Sequence, residues 1–386
     1  MKFKIPQQDF SKALVMSGKS LLVKSNLPIL SNLLISAGKN GVEILSTNLE
    51  TATKVNLICK VETEGKITLS GKTLLEFVSQ LPPEEVIFEV LGEEVLVKCG
   101  GFKARMVTIA PEEFPAIPKI EGGKRVKIDA TRFETAINGV SFSAAQDEGR
   151  PILTGVLCEL EKGKLKMVAT DGYRLGFDEI EVIEPKDLSL KLVVPARALV
   201  EVSKIISERR EVIGESGSKG GSIDIIIADN LNQINFKIGE IEYTSRLIEG
   251  EFPVWQKVIP GSFTSSARIR RDEFVKIVKI ASIFARDGGS IIRLKFEVDS
   301  KRKNGGNLII SGNAAQVGSS DSEIEVDLTG PGGEIAFNYR YLLDVLAVLS
   351  GEEVNFEMVE SLNPGKITSA EAPSFFHIIM PVRLQV

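Results

Sequence analysis

Phe133-Glu134-Thr135-Ala136-Ile137-Asn138 opens a helix-like run, and Met167-Val168-Ala169-Thr170-Asp171-Gly172 ends a strand-like one, with 38 residues from Phe133 to Asp171. The same arrangement is written twice more. Phe10-Ser11-Lys12-Ala13-Leu14-Val15 lies 38 residues before the turn of Ile44-Leu45-Ser46-Thr47-Asn48, and Phe274-Val275-Lys276-Ile277-Val278-Lys279 lies 39 before that of Ile309-Ile310-Ser311-Gly312-Asn313. A second helix-like signature follows each: Leu74-Leu75-Glu76-Phe77, Leu199-Val200-Glu201-Val202 and Leu342-Leu343-Asp344-Val345. Phe114-Pro115 and Phe252-Pro253 close the first two copies, and the last residues close the third. A period of roughly 125 to 140 residues is domain-sized, far above that of solenoids and propeller blades. The expectation is one domain made three times, over residues 1–122, 123–252 and 253–386.

Inside a copy, short alternating strands surround two helices. Val126-Lys127-Ile128 leads to Thr131, a residue type that caps helices, and a helix is expected from Arg132 to Ser143. Gly155 to Leu160 and Leu165 to Ala169 flank Lys162-Gly163-Lys164 and read as a hairpin. Pro195 suits the first turn of a helix running from Ala196 to Ser207, where its missing N–H goes unused, and strands follow at 223–227 and 234–238. Each copy thus reads as helix plus strands, twice over, an α+β unit whose two helices pack on antiparallel sheet. Gly/Ser/Lys-rich insertions at 214–222 and 301–307 read as surface loops without chemistry.

The length of 386 residues accommodates three domains, each able to bury its own core. Hydrophobic residues make up 43% and charged ones 26%, ordinary for a globular chain, and no apolar run is long enough to span a bilayer. Met1-Lys2-Phe3-Lys4 leads into no signal-peptide core, so a soluble, cytoplasmic protein is expected. The three cysteines, Cys59, Cys99 and Cys158, are widely spaced and read as free thiols rather than metal ligands. No cofactor is called for.

A net charge of −5 argues against coating nucleic acid by bulk attraction. The distribution is uneven, however: six helix-like windows (9–24, 72–81, 131–147, 195–211, 270–287 and 338–351) hold 15 Lys/Arg against 11 Asp/Glu. Amphipathic helices with solvated charges would show the same bias, so it points to a basic helix set without requiring one.

Catalytic groupings are hard to find. Leu69-Ser70-Gly71-Lys72-Thr73 lies between a strand and a helix, where a phosphate-binding loop belongs, but the leading glycine falls at Gly65 and Lys66 stands where it is needed. Gly18-Lys19-Ser20 fails in the same way at Ala13. The one histidine, His377, sits in Phe375-Phe376-His377-Ile378-Ile379 with no nucleophile near it and reads as a structural or surface residue. Asp171-Gly172 reads as a turn pair. No enzymatic activity is expected.

The threefold repeat, Leu27-Pro28-Ile29-Leu30-Ser31-Asn32-Leu33-Leu34, Ala169-Thr170-Asp171-Gly172-Tyr173-Arg174-Leu175 and Met380-Pro381-Val382-Arg383-Leu384 together resemble one family, the bacterial sliding clamps or beta subunits of DNA polymerase III. The resemblance covers essentially the whole chain. It implies two crescents of three domains closing head to tail into a ring, sheets outside and helices lining a hole that duplex DNA threads. It implies a processivity factor that tethers the replicative polymerase, the clamp loader and repair polymerases through short linear peptides. A topological link also suits physics, since strong phosphate contacts would brake sliding.

Carried over residue by residue, the resemblance implies a peptide pocket at Leu153, Thr170, Gly172, Tyr173, Arg174, Leu175, Pro253, Val258, Asn338, Tyr341, Met380, Pro381, Val382, Arg383 and Leu384. Tyr173 and Lys257 depart from the family pattern, where histidine and arginine stand. DNA-facing positions by the same carry-over are Lys24, Lys72, Gln146, Arg150 and Arg197; helix location adds Lys204, Lys276 and Lys279. Lys98 to Arg105, with Lys103 and Arg105, and Asp321 to Asp327, with Glu323 and Glu325, are strand-like edges of opposite charge that suit a head-to-tail homodimer. The alternative reading is a repeat-built protein-interaction scaffold that never encircles DNA.

Overall fold

The structure, a computed structural model, describes residues 1–22, 27–117, 120, 122–147, 149–213 (backbone alone for 211–213), 221–286, 289–302, 305–314, 316 and 318–383. The first repeat holds β1 (Lys2–Pro6), α1 (Gln7–Ser17), β2 (Asn32–Gly38), β3 (Gly41–Thr47), β4 (Thr51–Leu57), β5 (Lys60–Thr63), β6 (Gly65–Ser70), α2 (Gly71–Ser79), β7 (Glu85–Leu91), β8 (Glu94–Cys99) and β9 (Phe102–Ile109). The second holds β10 (Lys124–Asp129), α3 (Ala130–Val140), β11 (Gly155–Glu161), β12 (Lys164–Thr170), β13 (Arg174–Glu184), β14 (Leu190–Pro195), α4 (Ala196–Ile213), β15 (Ser222–Ile227), β16 (Gln233–Ile238) and β17 (Ile241–Arg246). The third holds β18 (Ser265–Arg270), α5 (Arg271–Ala285), β19 (Ile291–Val298), β20 (Gly305–Ala314), β21 (Gly318–Thr329), β22 (Gly333–Asn338), α6 (Tyr339–Val348), β23 (Glu353–Met358), β24 (Gly365–Ser369) and β25 (Ala372–Ile379). Every repeat is strand, helix and three strands, given twice; β5 is an addition to the first.

Local chemistry sets the boundaries. The Ser70 hydroxyl accepts from Thr73 N (3.3 Å) at the start of α2, and the Asn338 side chain accepts from Arg340 N (3.0 Å) at the start of α6. Between β11 and β12, Lys162 and Gly163 both take positive φ (52° and 73°), as the twist of a two-residue hairpin demands. Two expectations shift, one by two residues and one by a single residue. The helix expected from Arg132 begins at Ala130, so Thr131 lies inside it, and its last part, Ser141–Ser143, tightens into a 3-10 turn. Pro195 ends β14 and stands just before α4 instead of inside its first turn. Residues 214–220 and 303–304 of the two insertions lie outside the described residues.

The chain divides into two compact units, one of residues 1–131, 183–185 and 201–247, the other of residues 132–182, 186–200 and 248–386. The middle repeat is shared between them. In the first unit the strands follow one antiparallel path, β5-β1-β7-β8-β9-β6-β2-β3-β4-β17-β16-β15-β10. Phe3, Phe10 and Phe88 meet at its core: Phe3 stacks on Phe88 with ring centroids 4.7 Å apart, and Phe10 meets both edge-on. In the second unit the path is β14-β11-β12-β13-β25-β24-β23-β18-β21-β20-β19-β22. Its core gathers Phe274, Val278 and Ala281 of α5, Leu342, Val345 and Leu346 of α6, and Phe296, Phe337 and Phe356 from the strands. Sheet thus runs from one repeat into the next within each unit, through β4–β17 and β13–β25.

Cys99 and Cys158 are buried free thiols and Cys59 is half-buried; burial pushes the Cys158 thiol up to about 12, far from reactivity. No described helix is long and apolar enough to cross a membrane.

Candidate functional site

The β12–β13 turn is built by its own side chains. Thr170 Oγ1 accepts from Gly172 N (3.0 Å) and donates to Arg174 O (2.6 Å), while Asp171 Oδ1 accepts from Tyr173 N (2.8 Å) and Arg174 N (3.0 Å). Gly172 takes φ +93°, and an added Cβ would lie 3.2 Å from the Arg150 guanidinium, whose Nη2 donates to Asp171 O (3.1 Å). Glycine meets both demands. Arg150, an exposed residue expected to face DNA, rests its guanidinium on this turn.

Arg174 is the anchor of the site. Its Nε donates to Asp171 Oδ2 (3.0 Å), Nη1 to Asp344 Oδ2 (2.5 Å) and Nη2 to Phe142 O (2.8 Å). The guanidinium lies over Tyr341 (4.6 Å to the centroid) and Phe142 (5.4 Å), and the residue is buried. Asn338 caps the helix that presents Tyr341 and Asp344. Met380 N donates to Tyr173 O (2.8 Å) and Val382 N to Ala336 O (2.8 Å), which lays the chain after β25 alongside the turn.

Beneath lies an apolar floor of Leu153, Leu175, Phe252 and Ile378, with Ile152, Trp255, Ile259 and Phe376 packed against it. Tyr173 (62% exposed), Val254 (61%) and Val258 (39%) leave apolar surface above it. The structure brings Leu153, Thr170, Gly172, Tyr173, Arg174, Leu175, Asn338, Tyr341, Met380 and Val382 into this hydrogen-bonded and packed frame. Pro253 adjoins Phe252, Val258 ends the 3-10 turn Trp255–Val258, and Arg383 is exposed at the last described position. Leu384 lies outside the described residues.

Sequence reasoning misses Asp344 and Phe142 and reads Asp171 only as a turn residue. Asp344 belongs to the repeated Leu342-Leu343-Asp344-Val345 signature, which is the one signal that could have drawn notice to it. His377 also belongs to this neighbourhood. It is fully buried, stacks on Phe142 (5.3 Å), and has no hydrogen-bond partner at either nitrogen among the described residues. Burial, reinforced by the Arg174 charge, drives its pKa down to about 3.

The basic candidates lie elsewhere. Lys72 is exposed on α2 and lies 3.8 Å from Glu76; Lys204 is exposed on α4 and pairs with Glu201 (2.7 Å). Lys276 and Lys279 are exposed one turn apart on α5, with no ion pair among the described residues, and Arg197 and Gln146 are exposed. Lys24 lies outside the described residues. Lys98 to Arg105 is not one strand: Lys98 is on β8, Gly100 and Gly101 turn the chain, and Lys103 and Arg105 are on β9. Arg105 pairs with Glu94 (3.2 Å) and Glu325 with Arg302 (2.5 Å), whereas Lys103 and Glu323 have no ion pair among the described residues. No cluster of three or more His, Cys, Asp and Glu among the described residues is placed to hold a metal.

Three repeats of one helix-and-sheet domain, with exposed apolar surface beside a fixed cation, are the architecture of a clamp-type processivity factor. The chain belongs to the family of DNA polymerase III beta subunits: the models of its N-terminal, central and C-terminal domains match residues 1–118, 127–254 and 256–383. It is 27% identical to the beta sliding clamp of Synechocystis sp. over 406 aligned positions, with both chains covered completely. Among solved structures, the DNA polymerase sliding clamp of Bacillus subtilis superposes with a TM-score of 0.90 at 26% identity over the whole of both chains. The sliding clamp of Pseudomonas aeruginosa bound to griselimycin gives the same TM-score, identity and coverage.

Proposed function

We propose that this chain is a non-catalytic processivity clamp: two copies close a ring around duplex DNA and hold the polymerase, the clamp loader and repair polymerases by short peptides docked in the Arg174 groove. The domains would run over residues 1–122, 123–252 and 253–386, and the site of action would be the cytoplasm. The observation that carries the reading is the groove itself, with an apolar floor, a flanking chain after β25 and an arginine locked between two carboxylates and two rings. Such a receptor accepts apolar side chains while its polar rim orients the peptide backbone.

Lys72, Gln146, Arg150, Arg197, Lys204, Lys276 and Lys279, with Lys24, are the proposed DNA-facing set, each contact weak enough to permit sliding. Head-to-tail closure would set β9 of one copy against β21 of the other, with Lys103 and Arg105 opposite the acidic strand of Glu323 and Glu325. Among the described residues both strands offer an unpaired edge over much of their length, since β6 meets β9 only at Thr108 and Ile109, and β18 meets β21 only from Asp327.

The decisive test is topological. Loaded onto nicked circular DNA, the protein should stay bound through gel filtration and be released when the circle is linearised. Equal retention on both would defeat the clamp reading in favour of a scaffold. Met380→Ala with Leu384→Ala should abolish binding of a polymerase C-terminal peptide while the dimer persists; undiminished binding would place the pocket elsewhere.

A further inference from the structure

Two strand pairings join neighbouring repeats, and they are one joint made twice. In the first unit β17, the last strand of the second repeat, lies on β4, which ends the first half of the first repeat. In the second unit β25, the last strand of the third repeat, lies on β13, which ends the first half of the second. Arg246 N donates to Glu50 O (3.0 Å) in one joint and Met380 N to Tyr173 O (2.8 Å) in the other. From that common bond, Glu242 opposite Lys54 falls at the same place as Phe376 opposite Phe177. Both pairs are in direct contact: Lys54 Nζ is 2.9 Å from Glu242 Oε2, and the two phenyl rings stack at 4.5 Å.

The series has a third member whose two strands do not meet each other among the described residues. β9 ends the first repeat, and its hairpin closes at Cys99 opposite Phe102 as that of β17 closes at Ile238 opposite Ile241, which puts Lys103 where Glu242 stands. β21 ends the first half of the third repeat. Across the sheet, Leu34 faces Leu45 and Leu45 faces Lys54; in the second repeat the row is Leu157, Val168 and Phe177. In the third it is Arg293, Ser311 and Asp321. The residue equivalent to Lys54 and Phe177 is therefore Asp321.

We propose that in the head-to-tail dimer β9 of one copy pairs antiparallel with β21 of the other, with Lys103 opposite Asp321, and that the charge at this one position sorts the joints. The inference rests on the ring reading above and adds its register. The polarity is reversed relative to the first joint. Lys103 offered to β4 would face Lys54, and Glu242 offered to β21 would face Asp321, and like charges directly opposite on neighbouring strands repel. The apolar pair of the remaining joint matches neither. A chain with three near-identical docking edges thereby closes in one order.

Lys103→Glu and Asp321→Lys, each alone, should raise the dimer dissociation constant by about tenfold or more, because a closed ring contains the joint twice. The double variant should return to within about threefold of the unaltered protein, as expected for a directly coupled pair. A double variant no tighter than either single one overturns the pairing. Independently, Ala104→Cys with Ser320→Cys should give a covalent dimer on mild oxidation, and Ala104→Cys with Asp321→Cys should not, since a one-residue slip points the second thiol to the other face. The reverse crosslinking pattern would refute the register. If the unaltered protein stays monomeric at high concentration, the ring itself fails; a stable dimer indifferent to these changes removes only the register.

Discussion

His377 is the only histidine in the chain, and the fold holds it uncharged. In the unfolded chain its pKa returns to about 6.5, whereas burial and the Arg174 charge hold it at about 3 in the native state. The native state then binds fewer protons than the unfolded one, so acid favours unfolding. The stability from this group is fully present above pH 6.5 and drains away as pH falls from 6.5 toward 3. At roughly 1.36 kcal/mol per pH unit, the loss between pH 7 and pH 5 is about 2 kcal/mol. His377→Phe, which can still stack on Phe142, should lack this component. The chain has a single tryptophan, Trp255, which lies in the same compact unit as His377, so urea denaturation followed by its fluorescence reads the right unit. Other carboxylates lower stability at pH 5 in both proteins equally, and the difference between the two pH dependences isolates the imidazole. Parallel losses in the two proteins, or a histidine proton resonance titrating near pH 6, would refute the reasoning.

Asp344→Asn should weaken peptide binding several-fold and Arg174→Lys tenfold or more, because lysine cannot bridge Asp171, Asp344 and Phe142 O at once; fluorescence anisotropy with a labelled peptide measures both, and sedimentation should show the dimer unchanged. Gly312→Ala places a Cβ 2.2 Å from the Ala281 carbonyl oxygen, so α5 must move, and a loss of about 1–3 kcal/mol or more is expected in urea melts. Reversing Lys276 and Lys279 to Glu should speed escape from linear DNA and reduce the salt dependence of retention by about one power of salt concentration per lysine, read by surface plasmon resonance at several ionic strengths.

Much of this architecture was legible because repetition is a signal that survives in one sequence. Phe10, Phe133 and Phe274, each fully or almost fully buried, mark the same helical position three times, and alternation marked the β11–β12 hairpin. The pairings β4–β17 and β13–β25 were not legible. They join strands remote in sequence, and an edge carries no local mark of the strand it will accept. Arg174 could be singled out through family resemblance, but its partners could not: Phe142 contributes a backbone oxygen, which any residue would supply, and Asp344 comes from a helix far along the chain. The errors of one or two residues at Thr131 and Pro195 are of the kind expected where cap preferences are weak against tertiary packing.

The first unit carries the same turn, and the comparison explains why only one groove is proposed as a receptor. Thr47 Oγ1 accepts from Leu49 N (3.0 Å) and donates to Thr51 O (2.8 Å), and Asn48 Oδ1 accepts from Glu50 N (3.0 Å) and Thr51 N (2.6 Å), bond for bond the scheme of Thr170 to Arg174. An apolar cluster of Ile29, Leu30, Leu34 and Phe114 even lies where Leu153, Leu157 and Phe252 lie in the second unit. The differences fall on the side chains that would meet a ligand. Leu49 takes the positive-φ place of Gly172 (76° against 93°) despite its Cβ, which removes the room into which Arg150 packs. Thr51 replaces Arg174 and turns back to Asn48 and Ser20, so no cation is fixed between rings. Glu50 and Arg246 replace Tyr173 and Met380 and face each other at 3.6 Å, a solvated pair where the other groove offers apolar surface. The shared bonds close the β-turn on itself and fix the main chain whose Glu50 O and Tyr173 O receive the neighbouring repeat, and both units need them. The joint uses the main chain of the changed residues, a bond any side chain allows, so their side chains were free to become a binding surface in one unit and ordinary protein exterior in the other.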